Sequence, residues 1–186
     1  YSDIPALKAI VSTELNVEGN PTAEFMQQVL AHKPHQCTLV PDSPSALTSD
    51  QGWDTLKESS FLTEITARLK EQSIRVSIFI DASPRMVEGA ARIGADRVEF
   101  YTGPFAAQYR TDPGAAIAGH KAAALEAARL NIGVNAGHDL NLDNLRFYAS
   151  SLPNLLEVSI GHALVCDALY YGLSNVIGMY QHQLRS

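Results

Sequence analysis

The sequence predicts an α/β protein on a (β/α)8 TIM barrel, with about six strand–helix units present in this chain. Apolar stretches of about five residues alternate with helical stretches, which is typical of a parallel sheet joined by crossover helices. The strands are apolar at most positions, as expected for a sheet covered on both faces. Polar residues recur where strands end, and in a barrel these ends share one mouth.

The strand predictions come from short apolar stretches bounded by turn-forming residues. The first of them ends in the carboxylate of Glu18 and the third ends in Asp81. In chain order the predicted strands are 14–18, 37–41, 75–81, 97–103, 132–135 and 156–160.

Helical periodicity fills most of the intervals between these strands. Ser83 followed by Pro84 has the residue types that begin a helix, and 54–72 repeats apolar side chains at helical spacing. Loops are predicted after the second and fourth strands. The predicted helices are 4–11, 21–32, 54–72, 83–94, 113–130, 142–150 and a closing helix that ends near 184.

The chain is expected to be a single barrel domain, 1–186, that is incomplete at its N-terminal end. No linker or low-complexity tract divides the sequence. A barrel has ~250 residues, so two missing strands and one helix would account for a shortfall of ~50–60 residues. An open doubly wound sheet is the alternative, although no glycine-rich first turn supports it.

Composition argues against several classes of partner. The formal net charge of −6 and the pI near 5.4 disfavour nucleic acid. No apolar run approaches the ~20 residues of a membrane helix, and no segment has the pattern of a signal peptide. Cys37 and Cys166 are expected to be unpaired thiols. We therefore expect a cytoplasmic protein without membrane contact.

Two similar junctions supply the main functional signal. Gly137 and His138 follow the fifth predicted strand, and Gly161 and His162 follow the sixth. Unpaired amides at a helix N-terminus favour an anion, and glycine lets a ligand approach the main chain. Histidine can exchange a proton near neutral pH. The sequence therefore predicts a site that holds phosphate and transfers protons.

Six motifs taken together resemble one enzyme family. They are LNVE at 15–18, KPHQCTLVP at 33–41, VSIFID at 76–81, EFYTG at 99–103, VNAGH at 134–138 and IGHA at 160–163. In this order they resemble the pyridoxine 5′-phosphate synthase family. The resemblance implies a cofactor-free, oligomeric barrel that condenses 3-amino-2-oxopropyl phosphate with 1-deoxy-D-xylulose 5-phosphate. The products it implies are pyridoxine 5′-phosphate, inorganic phosphate and water.

The resemblance also implies roles for particular residues. Glu18 is similar to the catalytic glutamate of the family, and His138 to the histidine that donates a proton. These two groups could share the proton transfers of ring closure. Apart from the resemblance, Glu99 and Asp81 are expected to stabilise the site or to pair with cations rather than to do chemistry. No metal is implied.

Phosphate binding is assigned in the same way. Thr48 is similar to the threonine that contacts the pentulose phosphate, and Gly161 and His162 match the turn that grips a substrate phosphate. Asp139 stands where the family usually has a glycine whose main chain helps to hold phosphate. A carboxylate there would repel a phosphate unless its side chain turns away, for example to cap a helix at Leu140.

Three alternatives remain open. Further site residues of the family come from a region that would precede Tyr1, so the chain could be a silent fragment that binds phosphorylated metabolites. It could be a metal-dependent aldolase or epimerase in which His138 and His162 are ligands and Glu18 or Glu99 is the third, although the spacing gives little support. Without the resemblance, Glu18 could be a paired strand-end acid and both histidines could be structural. The other four histidines are interpreted as structural or surface residues.

Overall fold

The computed structural model describes residues 2–42 and 49–185, in which helices and strands alternate as predicted. The strands are β1 (Asn16–Gly19), β2 (Gln36–Leu39), β3 (Arg75–Asp81), β4 (Arg97–Tyr101), β5 (Gly133–Gly137) and β6 (Leu155–Ser159). The helices are α1 (Asp3–Ile10), α2 (Ala23–His32), α3 (Ser59–Glu71), α4 (Pro84–Ile93), α5 (Gly103–Tyr109), α6 (Pro113–Arg129), α7 (Leu145–Ser151), α8 (His162–Tyr171) and α9 (Leu173–Leu184).

The six strands are parallel and lie side by side in the order of the sequence. A doubly wound sheet reverses its strand order at a switch point, so this order excludes that alternative. The α/β class and the parallel sheet are therefore confirmed. Within residues 2–42 and 49–185 the sheet has two unpaired edges, at β1 and β6.

One face of the sheet is apolar and the other is polar. The apolar outer face packs in the hydrophobic core with the helices, through residues such as Cys37, Ile78, Phe100 and Val134. The inner face carries Asn16, Glu18, Gln36, Thr38, Arg75, Ser77, Arg97, Glu99, Asn135, Glu157 and Ser159, which alternate with apolar residues along the strands. Side chains of both faces are buried at most positions of the central strands β2, β3 and β4, as expected for a covered sheet, although most residues of the inner face are polar.

The sheet is curled around this polar face. Gln36 Nε2 on β2 lies 3.5 Å from Glu157 Oε2 on β6. Four inter-strand spacings would separate these strands by ~19 Å in a flat sheet. Arg97 Nη1 donates to the same Glu157 oxygen over 3.0 Å, while Arg75 pairs with Glu14. The inner side chains therefore meet across a concave surface, as they do inside a barrel.

The helices differ from their predicted bounds in three places. Asp54 Oδ1 accepts from the amides of Leu56 and Lys57, so a turn occupies the start of the predicted helix 54–72 and α3 begins later. The predicted loop after the fourth strand contains α5. The predicted closing helix is two helices, because Gly172 adopts a φ of 79° that ends α8.

None of the helices in the described part of the chain combines the length and the hydropathy needed to cross a bilayer. Cys37 is buried and Cys166 is exposed, and both are free thiols. His120 is also buried, and its Nδ1 lies 2.9 Å from the hydroxyl of Tyr148 in the core between α6 and α7. Its interpretation as a structural residue agrees with this position.

Candidate active site

A cleft of about 470 Å³ lies at the carboxyl-terminal ends of the strands, where the inner face of the sheet opens. Six of its nine described lining residues have polar side chains. The lining residues are Glu18, Ser49, Phe79, Glu99, His138, Ser159, Ile160, Gly161 and His162. The cleft therefore joins residues that are far apart in the sequence.

Four of the predicted site residues meet in this cleft. Glu18, His138, Gly161 and His162 all contribute to its lining, so the two Gly-His junctions share one site as expected. Asp139 is not among the described lining residues, and its side chain contacts His138 instead. Thr48 lies outside the described residues.

Two carboxyl groups face the cleft from the inner side of the sheet. Burial raises the pKa of Glu99 well above its usual value, and the negative charges of Glu18 and Glu157 raise it further. Desolvation also raises the pKa of Glu18, although the nearby His138 opposes that shift. Glu99 Oε2 has no hydrogen-bond partner among the described residues. Both shifts have the same direction, so the pair favours a state in which one of the two carboxyl groups keeps its proton.

Gly137 is required by the position of Glu99. A Cβ atom built on Gly137 would lie 2.2 Å from Glu99 Oε1, which is closer than any two such atoms can pack. The two residues are on neighbouring strands, β5 and β4, with Tyr101 directly opposite Gly137. The first glycine of the predicted pair therefore makes room for a buried carboxyl group.

Gly161 has a different surrounding. A Cβ atom at this position would meet nothing within 4 Å, so the main chain here is open. Gly161 precedes the first turn of α8, and no side chain among the described residues caps that helix. The first amides of a helix have no partner within it, and the positive end of its dipole favours an anion.

His138 is held in a defined orientation. Its backbone has a φ of 98°, which is rare for a residue other than glycine. Its ring meets the Tyr101 ring edge to face, with centroids 5.2 Å apart, and its Nδ1 lies 3.0 Å from Asp139 Oδ2. The predicted helix cap by Asp139 is absent from the described contacts. Asn141 Oδ1 instead accepts the amides of Asp143 and Asn144 before α7.

The sequence matches the family described as pyridoxal phosphate biosynthesis protein PdxJ over residues 1–186. The chain belongs to this family. A pyridoxine 5′-phosphate synthase of Cytophaga hutchinsonii is 54% identical over 185 residues, which are 100% of this chain and 78% of that protein. The proteins of the same description from Flavobacterium johnsoniae and Bacteroides fragilis are 50% and 51% identical to this chain. In each case the matched region is 78% of the relative's length.

Solved structures of other proteins share the fold. A crystal structure described as 4-hydroxy-2-oxoglutarate aldolase/2-deydro-3-deoxyphosphogluconate aldolase superposes with a TM-score of 0.63 at 17% identity, covering 98% of this chain and 76% of that one. A xylose isomerase domain protein from Planctomyces limnophilus gives a TM-score of 0.60 at 12% identity, with 95% and 74% coverage. At these identities the likeness concerns the fold of the PdxJ chain and not its chemistry.

Sequence reasoning missed part of the lining of this PdxJ cleft. Glu99 is predicted to stabilise the site or to pair with cations, and its carboxyl group lines the cleft together with Glu18. The polar-apolar alternation Arg97, Val98, Glu99 would have placed it on the inner face. Ser49 and Ser159 carry no sequence signal of their own, because their positions depend on the curl of the sheet.

A metal centre is not favoured by this arrangement. Among residues 2–42 and 49–185, no group of three or more His, Cys, Asp or Glu side chains is placed to hold a metal ion. Glu18, Glu99, His138 and His162 share the cleft without forming such a group. The metal-dependent alternative therefore gains no support from the geometry.

Proposed function

We propose that this PdxJ protein, an enzyme of the synthase class, makes pyridoxine 5′-phosphate. It would condense 3-amino-2-oxopropyl phosphate with 1-deoxy-D-xylulose 5-phosphate and release inorganic phosphate and water. The observation that carries this proposal is the shared cleft of Glu18, His138 and the Gly161–His162 turn. The names of relatives at about half identity support the product, pyridoxine 5′-phosphate, and the two substrates are those that the family resemblance implies.

Glu18 and His138 are the proposed proton carriers. Ring closure needs imine formation, enolisation, loss of water and loss of phosphate, and each of these steps moves a proton beside a developing charge. The two groups reach the cleft from β1 and from the end of β5, so they can act on different parts of one substrate. Glu99 adds a buried carboxyl group, and its raised pKa favours the protonated form that donates a hydrogen bond.

The phosphate groups are proposed to bind at the start of α8. Among the described lining residues there is no Lys or Arg, while two Glu side chains bring negative charge. A phosphate in this cleft therefore depends on main-chain amides, on the helix dipole and on His162. Thr48 remains a proposed second contact.

We further propose that the curled sheet is part of a (β/α)8 barrel and that 1–186 belongs to one barrel domain. The polar inner face, the curl across it and the unpaired edges of β1 and β6 support this. A crystal structure would test it, because pairing at both sheet edges is expected there.

Two features support the remaining proposals, a homo-oligomer and a cytoplasmic location. Exposed apolar side chains cluster on α8 and α9, and they include Leu169, Tyr170 and Leu173. Such a patch is typical of a contact between subunits. The free thiols of Cys37 and Cys166 fit a reducing compartment. Light scattering would reveal a mass above that of one chain, and fractionation of cells would reveal the compartment.

The proposed function is tested by measuring product formation from the two phosphorylated substrates. The variant Glu18→Gln keeps the shape of the side chain but cannot carry the proton, so kcat is expected to fall by ~100-fold or more. Glu64→Gln is the matched control, because Glu64 is exposed on α3. Normal turnover by Glu18→Gln would refute the proposed role. A folded wild-type chain that binds phosphate without turnover would favour the silent alternative.

A further inference from the structure

The surroundings of His138 include a carboxylate to which the proposed function gives no chemical role. Asp139 Oδ2 lies 3.0 Å from Nδ1 of His138, and the rings of His138 and Tyr101 pack edge to face. The left-handed backbone of His138 limits its side chain further. Such backbone conformations persist only where the surrounding structure fixes them. The imidazole is therefore oriented by its backbone, by an aromatic ring and by a carboxylate.

We propose that Asp139 is a positioning residue for His138, an inference that rests on the proposed function. In neutral imidazole one ring nitrogen carries the proton and the other accepts one. The carboxylate of Asp139 accepts the Nδ1–H, which assigns the exchange of a proton with the substrate to Nε2. When Nε2 takes a proton, the same carboxylate stabilises the imidazolium, and when Nε2 returns the proton the original tautomer is restored.

The position of the Asp139 side chain supports this role over a direct phosphate contact. Its carboxylate is 52% exposed and is absent from the described lining of the cleft, while the His138 side chain is only 20% exposed. A carboxylate that faced a bound phosphate would repel it. By pairing with Nδ1, the carboxylate contacts the ring nitrogen that the substrate does not use.

The other titratable groups near this ring belong to different elements. Glu18 approaches from β1, Glu99 and Tyr101 from β4, and His162 from the start of α8. The carboxylate of Asp139 is a direct partner of the ring, 3.0 Å from Nδ1 of His138. Its removal is therefore expected to change the tautomer without removing any group from the cleft lining.

The test compares wild type with Asp139→Asn, which preserves side-chain size and removes the charge. The ring nitrogens of His138 are followed by ¹⁵N NMR in the substrate-free protein, and kcat and KM are measured with both substrates. Asp143→Asn is the matched control, because Asp143 is exposed and pairs with Arg110 away from the cleft. Wild type is expected to carry the proton on Nδ1, and Asp139→Asn to lose that preference.

We expect kcat of Asp139→Asn to fall by ~10-fold or more while KM changes little. A general acid–base group raises the reaction rate by ~100- to 10,000-fold, and Asp139 would act on the rate only through such a group, His138. A lower KM with an unchanged kcat and tautomer would overturn the proposal, because Asp139 would then only repel substrate phosphate. A wild-type His138 protonated on Nε2 would also overturn it. The NMR measurement does not require turnover. A wild-type protein that is inactive but carries the proton on Nδ1 would therefore refute the proposed function and still support Asp139 as the residue that positions His138.

Discussion

At the scale of residues, the two glycines before histidine serve different purposes. They look alike in the sequence, where each precedes a histidine at the end of a strand. In the structure Gly137 makes room for the Glu99 carboxyl group, whereas Gly161 borders open space at the start of α8. The shared motif therefore combines a packing requirement with an accessible main chain, and local sequence does not distinguish them.

Gly137→Ala is predicted to damage the site through Glu99. The added methyl group would lie 2.2 Å from Glu99 Oε1, so the carboxyl group or β5 must move. Overpacking of this kind destabilises proteins by ~1–3 kcal/mol. We expect a lower urea midpoint together with a reduced kcat. Gly114→Ala is the control, since the nearest atom to its Cβ would be 3.4 Å away. A Gly137→Ala protein with wild-type stability and turnover would contradict the prediction.

At the scale of elements, strand and helix order was predictable while helix ends and the inner face were not. Apolar periodicity placed all six strands, because burial against helices selects the residues of the outer face. The inner face escaped prediction because its polar residues are satisfied by partners on distant strands, as Gln36 is by Glu157. The break at Gly172 was missed since apolar spacing continues through it.

The start of α8 is the element that we expect to hold phosphate. Gly161→Ala adds a methyl group where the main chain is open, so the fold should be kept while the approach of a phosphate is hindered. We expect weaker binding of inorganic phosphate by calorimetry and a higher KM. Gly178→Ala in α9 is a matched control, because its Cβ would also meet nothing within 4 Å. Equal phosphate affinity in both variants would place the phosphate elsewhere.

At the scale of the whole molecule, the curled sheet concentrates charge on its concave side. Toward the amino-terminal ends of the strands, Arg75 pairs with Glu14 and Arg97 pairs with Glu157. Glu18 and Glu99 lie toward the opposite end, where the cleft opens. This division follows from the parallel order of the strands, because all carboxyl ends lie on one side. The sequence could predict that the carboxyl ends of the strands share one side of the sheet. It could not predict the burial of Glu99, because that burial depends on neighbours from other strands.

The burial of Glu99 is predicted to make the stability of the molecule depend on pH. The pKa of Glu99 is raised in the folded protein. The free-energy penalty for burying its carboxylate is therefore absent below the pKa of the unfolded state, about 4.5, and it grows as the pH rises through the pKa of the folded state. Burial lowers the pKa of His120 from 6.5 to about 4, so stability also falls as pH drops through that window. The difference between wild type and Glu99→Gln at each pH cancels the His120 contribution.

Glu99→Gln is therefore expected to gain stability relative to wild type as pH rises above about 4.5. The free energy of unfolding is measured in urea over a series of pH values for both proteins. Glu64→Gln, an exposed change on α3, should follow the wild-type curve throughout. If the difference between Glu99→Gln and wild type were constant with pH, Glu99 would be equally protonated in the folded and unfolded states. Glu99 would then not be the group that keeps a proton in the folded cleft.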